Sequence, residues 1–495
     1  MTGGPQRLLR GGARAVTGVV ILGASAAAVL ALGTGLVPLP TIAAPVVSID
    51  VDTSQNAQVS LVCTGAFGEL GADPSHPTEA VTGGTTQLVA AGDLGDQREL
   101  SRVQSSGEAQ GSAPAVITAP AGAAVAAAEL QQVNTETLFG FTASACAEPT
   151  HDQWLVGGGT TLGQSTTLVL GNPAEVPATV QVTLFNGEGQ IDAAQTAGVL
   201  VPPGSQRIVS LNGYAPGADR LVAHVESTGA AVTAALGISH TVDIRSYAVD
   251  TVTRQLAPST QLVVPAVTNV GQHEHGPTGN IHEQDDFPVV VRVLAPGGES
   301  GGVSIRVLKA DGTSESFTGI EVADSAVTDF VIERWPDGGQ AVVIEAGVPV
   351  VGGVFGSSDV APNHDYSWFA PAPLLTAGED HAVAIVPGGE LVIANPGSVA
   401  AEVLLTRITQ PADADAGEAD ASDAGESADT DESTETQLVR VAAGAAVPVT
   451  TSGQFTLHST AHVSAGVRIV SGAYLADYPV LAPAPRQTNL TVVTR

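Results

Sequence analysis

Short runs of alternating apolar and polar residues fill the stretch from Thr167 to Leu236. The run from Ala178 to Phe185 has a period of two and stops at Asn186-Gly187, a dipeptide typical of a hairpin turn. Successive side chains of a strand point to opposite faces, so a period of two predicts half-buried strands. The residues expected to face a core are Val180, Val182 and Leu184, with Gln181 and Thr183 facing outward.

The same order of runs recurs along the chain in units of similar size. Each unit is far longer than the ~20–50 residues of a solenoid repeat, so each is expected to bury its own core. An opening strand starts three of the units, at Trp154, Gln261 and Trp368, which gives the two tryptophans the same repeat position. The expected boundaries are 45–150 for a degenerate first unit, 151–258 for the second, 259–366 for the third, 367–485 for the fourth and 486–495 for a C-terminal tail.

The units predict an all-β fold of tandem immunoglobulin-like β-sandwiches, because several short strands per unit suit that architecture. In this interpretation Trp154 lies in the first strand of the second unit, and the runs Leu168–Pro173 and Val180–Phe185 form a hairpin. The alternative is a closed repeat that resembles a β-propeller, since radial repetition also uses short strands. A propeller blade needs only four strands, so sandwiches fit these longer units better.

An apolar segment near the N-terminus predicts one transmembrane helix. Arg7, Arg10 and Arg14 lie in a basic stub at 1–14, and residues 15–39 carry no charge. About 20 apolar residues span a bilayer, and basic flanks mark the cytoplasmic side. We therefore expect a single-pass plasma-membrane protein with a cytoplasmic N-terminus and an extracytoplasmic bulk. A cleaved signal peptide is the alternative, but the run exceeds the usual apolar region of ~7–15 residues.

The net charge argues against one class of function, and the cysteine content predicts a disulfide. The formal net charge of −32 argues against nucleic-acid binding, because an acidic surface repels phosphates. The chain has two cysteines, Cys63 and Cys146, and both follow the predicted anchor. An even pair in an exported chain normally forms a disulfide, so we expect a Cys63–Cys146 bond in the first unit.

Two loops depart from the repeat. Residues 271–287 contain His273, His275 and His282 beside several carboxylates, a set that offers ligands to Zn²⁺ or another divalent metal. The spacing matches no established signature, and a solvated loop is the alternative. Residues 411–436 are acidic with alanine as their only apolar residue, so we expect a disordered insertion in the fourth unit.

No pattern in the sequence indicates catalysis or a cofactor. The chain lacks the G-x-S-x-G, S-x-x-K, H-E-x-x-H and P-loop patterns. The glycine-rich run Val156–Thr161 leads from one strand into another, so no helix N-terminus follows to bind a phosphate, and we interpret the run as a tight connection. Paired carboxylates for glycoside hydrolysis stay open, because their separation depends on the fold.

The string CAEPTHDQWLVGGGTTLGQSTTLVL, from Cys146 to Leu170, resembles the start of the main region in a family of actinobacterial envelope proteins known only by a domain of unknown function. The resemblance extends along the chain to the basic stub, the anchor, the cysteine-bounded first region and the β units. Where it leads us to expect Cys-Pro-Gly, this chain has Cys63-Thr64-Gly65, and the histidine-rich loop and acidic insertion are further departures. The resemblance implies a single-pass extracytoplasmic β-repeat protein and supplies no catalytic residues.

Three classes of function follow from the sequence. A non-catalytic scaffold or binding protein of the cell envelope, with an envelope protein or a glycan as its partner, agrees best with the anchor and the tandem units. An accessory subunit of envelope glycan or lipid assembly is the second class. A hydrolase is the third, and it requires a cleft with convergent acidic residues whose pKa values are perturbed.

Overall fold

Strands dominate the computed structural model of this chain. The residues that it describes are Ala24, Ser75 and the ranges 47–51, 58–70, 78–103, 110–135, 137–192, 198–242, 245–269, 288–360, 363–408, 435–484 and 490–494. These residues form 36 strands and no helical element. The prediction of an all-β protein is therefore confirmed.

The strands fall into four successive segments and one terminal pair. The first segment contains β2 (Val59–Val62), β3 (Gly68–Leu70), β4 (Ala80–Gly84), β5 (Gln87–Gly92), β6 (Gln97–Glu99), β7 (Ser101–Arg102), β8 (Gln110–Gly111), β9 (Ala115–Ala119), β10 (Val125–Asn134) and β11 (Phe139–Ala145). The second contains β12 (Asp152–Val156), β13 (Gln164–Asn172), β14 (Ala178–Asn186), β15 (Gly189–Ile191), β16 (Val199–Val201), β17 (Ser205–Ser210), β18 (Val222–Gly229), β19 (Thr233–Val242) and β20 (Arg245–Val252).

The other two segments follow the same plan. The third contains β21 (Ser259–Pro265), β22 (Val289–Leu294), β23 (Gly301–Lys309), β24 (Ser314–Val322), β25 (Thr328–Ile332), β26 (Gly339–Val360) and β27 (Asn363–Phe369). The fourth contains β28 (Asp380–Ile385), β29 (Gly389–Ala394), β30 (Ala401–Arg407), β31 (Thr436–Val441), β32 (Ala446–Val449), β33 (Gly453–Ser459), β34 (Ser464–Ser471) and β35 (Tyr474–Pro479). The terminal pair is β1 (Val47–Val51) with β36 (Leu490–Thr494).

One strand order recurs in the segments. The second segment has two sheets. We call the sheet in the order β12-β18-β14-β15 its outer sheet, and the sheet in the order β17-β13-β19-β20, which contains the last strand of the segment, its inner sheet. The corresponding sheets of the fourth segment have the orders β28-β33-β30-β31 and β32-β29-β34-β35. The first segment repeats part of this order as β2-β9-β6 and β5-β10-β11. In the constant immunoglobulin domain the first strand lies beside the second, whereas here it lies beside a strand late in the segment, as β12 lies beside β18 and β28 beside β33.

The predicted hairpin of Leu168–Pro173 with Val180–Phe185 is wrong, because β13 and β14 lie in different sheets. The Asn172 amide explains the change of sheet. It donates to the Val176 and Val201 carbonyls at 2.9 and 3.1 Å and accepts the Ala174 N–H at 3.0 Å. Asn395 repeats this pattern in the fourth segment, so the Asn-Pro dipeptide marks a corner between sheets.

The two sheets of the second segment enclose one hydrophobic core. Leu155 and Val225 from the outer sheet pack with Leu170 and Leu236 from the inner sheet, and all four are fully buried. The residues expected to face inward are 0%, 3% and 1% exposed, in the order Val180, Val182 and Leu184. Gln181 is exposed and Thr183 half-buried, so the predicted faces of this strand are confirmed.

The third segment joins its two sheets through a single strand. The first part of β26 pairs with β21 and β23, and its second part pairs with β22 and β27. In the second and fourth segments the chain turns between the equivalent strands, β18 to β19 and β33 to β34. The third segment therefore carries both sheets on one continuous backbone.

Within residues 56–485, which form one compact body, the segments close into a cycle. The outer sheet of the second segment packs on strands β22 and β26 of the third. Phe185 and Val222 of the second segment contact Leu294 and Val351 of the third in one hydrophobic cluster. The third packs on the fourth through Val343 and Val392.

The cycle closes through the first segment. Strands β5 and β10 contact β28 of the fourth segment, and β7 pairs with β17 of the second. Ala128 and Leu130 belong to the same hydrophobic cluster as Val383 and Leu457. In contrast to the expectation of separate cores, the first and fourth segments share this cluster.

The closing strands of the segments lie together within this body. Strand β11 contacts β20, β20 contacts β27, β27 contacts β35, and β35 contacts β11. The rings of Phe141 and Tyr474, on β11 and β35, stack with centroids 4.6 Å apart. The cycle agrees with the closed alternative in its connectivity, although each repeat has two sheets rather than one four-stranded blade.

The terminal pair is a separate two-stranded ribbon, in which β1 and β36 are antiparallel with Val47 opposite Thr494. Most of the predicted anchor at 15–39 lies outside the described residues. Among the residues that are described, no helix is long and apolar enough to cross a membrane.

Candidate functional site

Asp365 connects three closing strands. Its Oδ2 atom accepts hydrogen bonds from the Phe141 N–H on β11 at 2.8 Å and from the Leu475 N–H on β35 at 3.0 Å. Its Oδ1 atom accepts the Tyr366 N–H at 3.0 Å. One side chain of the third segment therefore satisfies backbone donors of the first and fourth segments.

Asp250 and Asp477 extend this network. Asp250 accepts the Trp368 N–H at 2.7 Å, and the Ser367 hydroxyl lies 3.1 Å from Asp250 and 2.8 Å from Asp477. A hydroxyl donates only one hydrogen, so a proton on one of the two carboxyl groups completes both contacts.

Burial sets the protonation of these carboxyl groups. It raises the pKa of Asp250 to about 7 and raises the pKa values of Asp365 and Asp477 well above the ordinary 3.8, with the neighbouring Asp250 charge adding to both. The three side chains belong to residues that are 1%, 1% and 6% exposed. A substrate cannot reach them, so we interpret them as cross-links between segments rather than catalytic acids.

The glycine-rich connection after β12 is where the third segment docks. A Cβ atom on Gly157 would lie 3.0 Å from the Trp368 ring, so a side chain there would crowd the ring, which would have to shift by a few tenths of an ångström. Arg292 stacks on that ring at 4.4 Å, donates to the Gly158 carbonyl at 2.6 Å, and pairs with Asp329 through two hydrogen bonds of 2.8 and 2.9 Å. The interpretation of this run as a tight connection agrees with these contacts.

A groove of about 600 Å³ lies between the second and third segments. Trp154 and His224 are opposite each other on β12 and β18, and their rings stack at 3.9 Å with planes 7° apart. Trp154 is 6% exposed, whereas the His224 side chain keeps 16% of its surface. The groove is also lined by Thr183, Phe185, Gln190, Pro258, Pro296, Glu299 and Val348.

Two carboxylates hold the His224 imidazole. Nε2 lies 2.9 Å from Asp152 Oδ1, and Nδ1 lies 3.9 Å from Glu226 Oε2. One ligand atom from each of the three residues falls within 4.8 Å of the others, the spacing of a candidate metal set. Because a metal ion binds only one ring nitrogen and the carboxylates contact opposite nitrogens, the arrangement fits an oriented imidazole better than a metal site.

A second cavity, of about 340 Å³, lies where the connections after β20 and β27 meet the residues after β35. Its walls are mostly apolar, and Arg254 is its charged residue. Arg254 is 4% exposed and donates from Nη2 to the Glu148 carbonyl at 3.0 Å. Burial lowers the pKa of Arg254 to about 10, against an opposing effect of the Glu148 charge, so the guanidinium is charged at neutral pH.

The structure describes the predicted disulfide cysteines but not the predicted metal ligands. The Sγ atoms of Cys63 and Cys146 are 2.02 Å apart, at disulfide distance, beside a small core of the first segment that includes Leu61 and Ile117. The metal candidates His273, His275 and His282 lie outside the described residues, as do residues 411–434 of the acidic insertion.

The prediction that Trp154 and Trp368 occupy the same position in the repeat is wrong. Trp154 lies on β12, the first strand of its segment, whereas Trp368 lies on β27, the last strand of the third segment. The fourth segment opens at β28, after the connection formed by residues 370–379. The Ala-Pro sequences follow closing strands, and they misled the assignment because they precede each new segment.

The sequence patterns did not indicate Asp250, Asp365, Asp477, His224 or Arg254. A lone aspartate recurs within the apolar closing strands, in YAVD, HDYSW and LADY, and this repetition was an available signal. Arg254 stands in a region with few basic residues, but nothing local shows that it is buried. The pairing of His224 with Trp154 needed the strand register.

Comparison with known proteins gives one match. The model of a family of unknown function (DUF5719) matches residues 103–425, which include the second and third segments and the start of the fourth. No curated protein matches the chain, and no solved structure matches it.

Proposed function

We propose that this chain, which belongs to the family of unknown function DUF5719, is a non-catalytic binding protein of the cell envelope. In this proposal the cycle of segments is a rigid scaffold, each repeat is an immunoglobulin-like sandwich variant, and the groove beside Trp154 holds a glycan of the envelope.

The groove is the observation that carries the proposal. It combines a partly exposed imidazole stacked on Trp154 with the Thr183 hydroxyl, the Gln190 amide and the Glu299 carboxylate. Rings pack against the apolar faces of a sugar, and the polar groups can bond its hydroxyls. Pockets that bind small molecules combine apolar surface with a few placed polar groups in this way.

The location in the proposal rests on the sequence and on the cysteine pair. The apolar run at 15–39, with arginines before it, supports a membrane anchor with the body outside the cytoplasm. A cysteine pair at disulfide distance supports an oxidising compartment. Protease added to cells with an opened wall should then digest the body, and full protection would contradict this location.

Binding can be tested with soluble oligosaccharides released from the cell wall of the source organism. They should quench tryptophan fluorescence, and His224→Gln should weaken binding about tenfold, the effect of losing one favourable ring contact. Hydrogen exchange should slow in the peptides that contain Thr183 and Glu299.

His458→Gln is the matched control. His458 also bonds a neighbouring aspartate, with Nδ1 2.8 Å from Asp380, and lies on β33, the counterpart of β18. Its substitution should leave glycan binding unchanged. Equal losses in both variants, or no binding to the wild-type protein, would contradict the glycan site.

A further inference from the structure

The cavity beside Arg254 differs from the glycan groove in its chemistry. Three connections that leave the closing strands meet there, and they enclose about 340 Å³, a volume within the range of small-molecule sites. Its main apolar residues are Leu256, Leu262, Pro371, Leu374, Leu481 and Pro483. Leu374 is 44% exposed, so part of this apolar surface faces solvent.

Arg254 has donors that the protein leaves unused. Its Nη2 bonds the Glu148 carbonyl, whereas its buried Nε has no partner among the described residues. A guanidinium carries five N–H donors in a planar fork, and a buried donor without a partner destabilises the protein. The Glu148 charge offsets part of the cost of burying this guanidinium, which is 4% exposed, and a ligand that accepts from its unused donors would offset more of that cost.

The other polar residues around the cavity are already engaged. The Gln255 amide donates to the Ala257 carbonyl at 2.8 Å and accepts the Gly352 N–H at 3.2 Å. The Ser259 hydroxyl donates to the Gln261 carbonyl at 2.9 Å. Gln261, a further polar residue of the lining, is exposed and donates from Nε2 to Glu345 at 3.4 Å. Recognition of a negatively charged group in this cavity therefore falls to Arg254.

We propose that this cavity binds an amphipathic carboxylate of the fatty-acid class, with its carboxylate on Arg254 and its acyl chain against the leucines and prolines. A carboxylate matches the fork of one guanidinium, because two parallel N–H···O bonds form between two planar groups. The walls offer an acyl chain apolar contact and offer few further donors, which disfavours a more highly charged headgroup. This site does not depend on the proposed glycan groove.

The charge of the whole chain makes a second expectation. A net charge of −32 repels anions at long range, and added salt screens that repulsion more than it screens a buried contact. Carboxylate binding should therefore strengthen from low to moderate ionic strength, opposite to the behaviour of an exposed basic patch.

The test compares decanoate with decanol, which has the same chain and no charge, by calorimetric titration of the full chain below micelle-forming concentrations. Decanoate should bind the wild-type protein about tenfold or more tightly than decanol, the scale of a charge-assisted bond. Arg254→Gln should remove this preference and keep the weak binding of decanol. Equal affinities in the wild-type protein, no binding of either, or an unchanged preference in Arg254→Gln would overturn the proposal.

Two further variants keep the test decisive. Arg407→Gln removes an arginine that pairs with Glu435 elsewhere, and it should leave decanoate binding unchanged. If Arg254→Gln does not fold, Leu374→Asp places a carboxylate at the exposed rim. It should weaken decanoate binding more than decanol binding, and equal effects would refute a carboxylate site.

Discussion

Replacing Asp365 with alanine should destabilise all four segments together. The substitution removes the acceptor for the Phe141 and Leu475 N–H groups, which belong to the first and fourth segments and lie 2.8 and 3.0 Å from Asp365 Oδ2. Each buried donor left unpaired costs about 1–3 kcal/mol, so the sum is about 2–6 kcal/mol. Such a loss is a large part of a typical unfolding free energy of roughly 5–15 kcal/mol.

The assay is denaturant unfolding followed by hydrogen exchange, which reports each closing strand separately. Peptides from β11, β20, β27 and β35, one closing strand from each segment, should open at the same, lower denaturant concentration in Asp365→Ala. Asp365→Asn can place its one acceptor oxygen at the position of Oδ2, where it accepts both N–H groups, so it should lose less free energy of unfolding than Asp365→Ala.

Asp311→Ala is the control within the same segment. Asp311 is exposed, and among the described residues its carboxylate accepts hydrogen bonds only from the N–H and hydroxyl of Thr313 in its own turn, at 2.9 and 2.6 Å. That variant should leave β11 and β35 unchanged. If Asp365→Ala opened β27 while β11 and β35 stayed protected, the segments would be independent and the closed cycle would not be a cooperative unit.

Three further predictions follow from the geometry. Asp250→Asn should flatten the pH dependence of stability. Burial raises the folded pKa of Asp250 from 3.8 to about 7, so the contribution of Asp250 to the free energy of unfolding is fully present below about pH 4. That contribution is lost as the pH rises through about 7, by up to about 1.4 kcal/mol per pH unit. Urea unfolding at several pH values checks this, and parallel curves for both proteins would contradict it. Gly140→Ala should lower the thermal midpoint more than Gly122→Ala. Both glycines have positive φ, but a Cβ on Gly140 would lie 2.5 Å from Asp365 Oδ1 and one on Gly122 meets nothing within 4 Å; equal shifts in the two variants would refute the clash. Deleting residues 411–434 should change the unfolding free energy by less than about 1 kcal/mol, since a segment whose composition predicts disorder is expected to contribute little. A larger loss in calorimetry would contradict that prediction.

The sequence predicted which face of a strand is buried, but it did not predict which strands are neighbours. Alternation placed Val180, Val182 and Leu184 correctly, because the period of a strand is local. The pairing of β13 with β17 and β19 depends on contacts between residues far apart in the chain. The Asn186-Gly187 hairpin was predictable for the same local reason, and β15 does fold back on β14 there.

The candidate sites were harder to predict than the strands. A polar residue in an alternating run is predicted to face solvent. Asp250 and Asp477 are nevertheless buried, because closing strands from other segments cover them. The Trp154–His224 stack arises from a register that no turn between β12 and β18 specifies. Arg254 is buried by connections from two other segments, so its own neighbours in sequence carry no sign of it.

The unbroken strand β26 has a mechanical consequence. In the second segment, tension between the two sheets would pass through the turn between β18 and β19, which can straighten. In the third segment the same tension would run along one extended backbone, held on both sides by β21 and β23 in one sheet and by β22 and β27 in the other. Load applied to the body should therefore extend the other segments first, and the third segment should resist extension most.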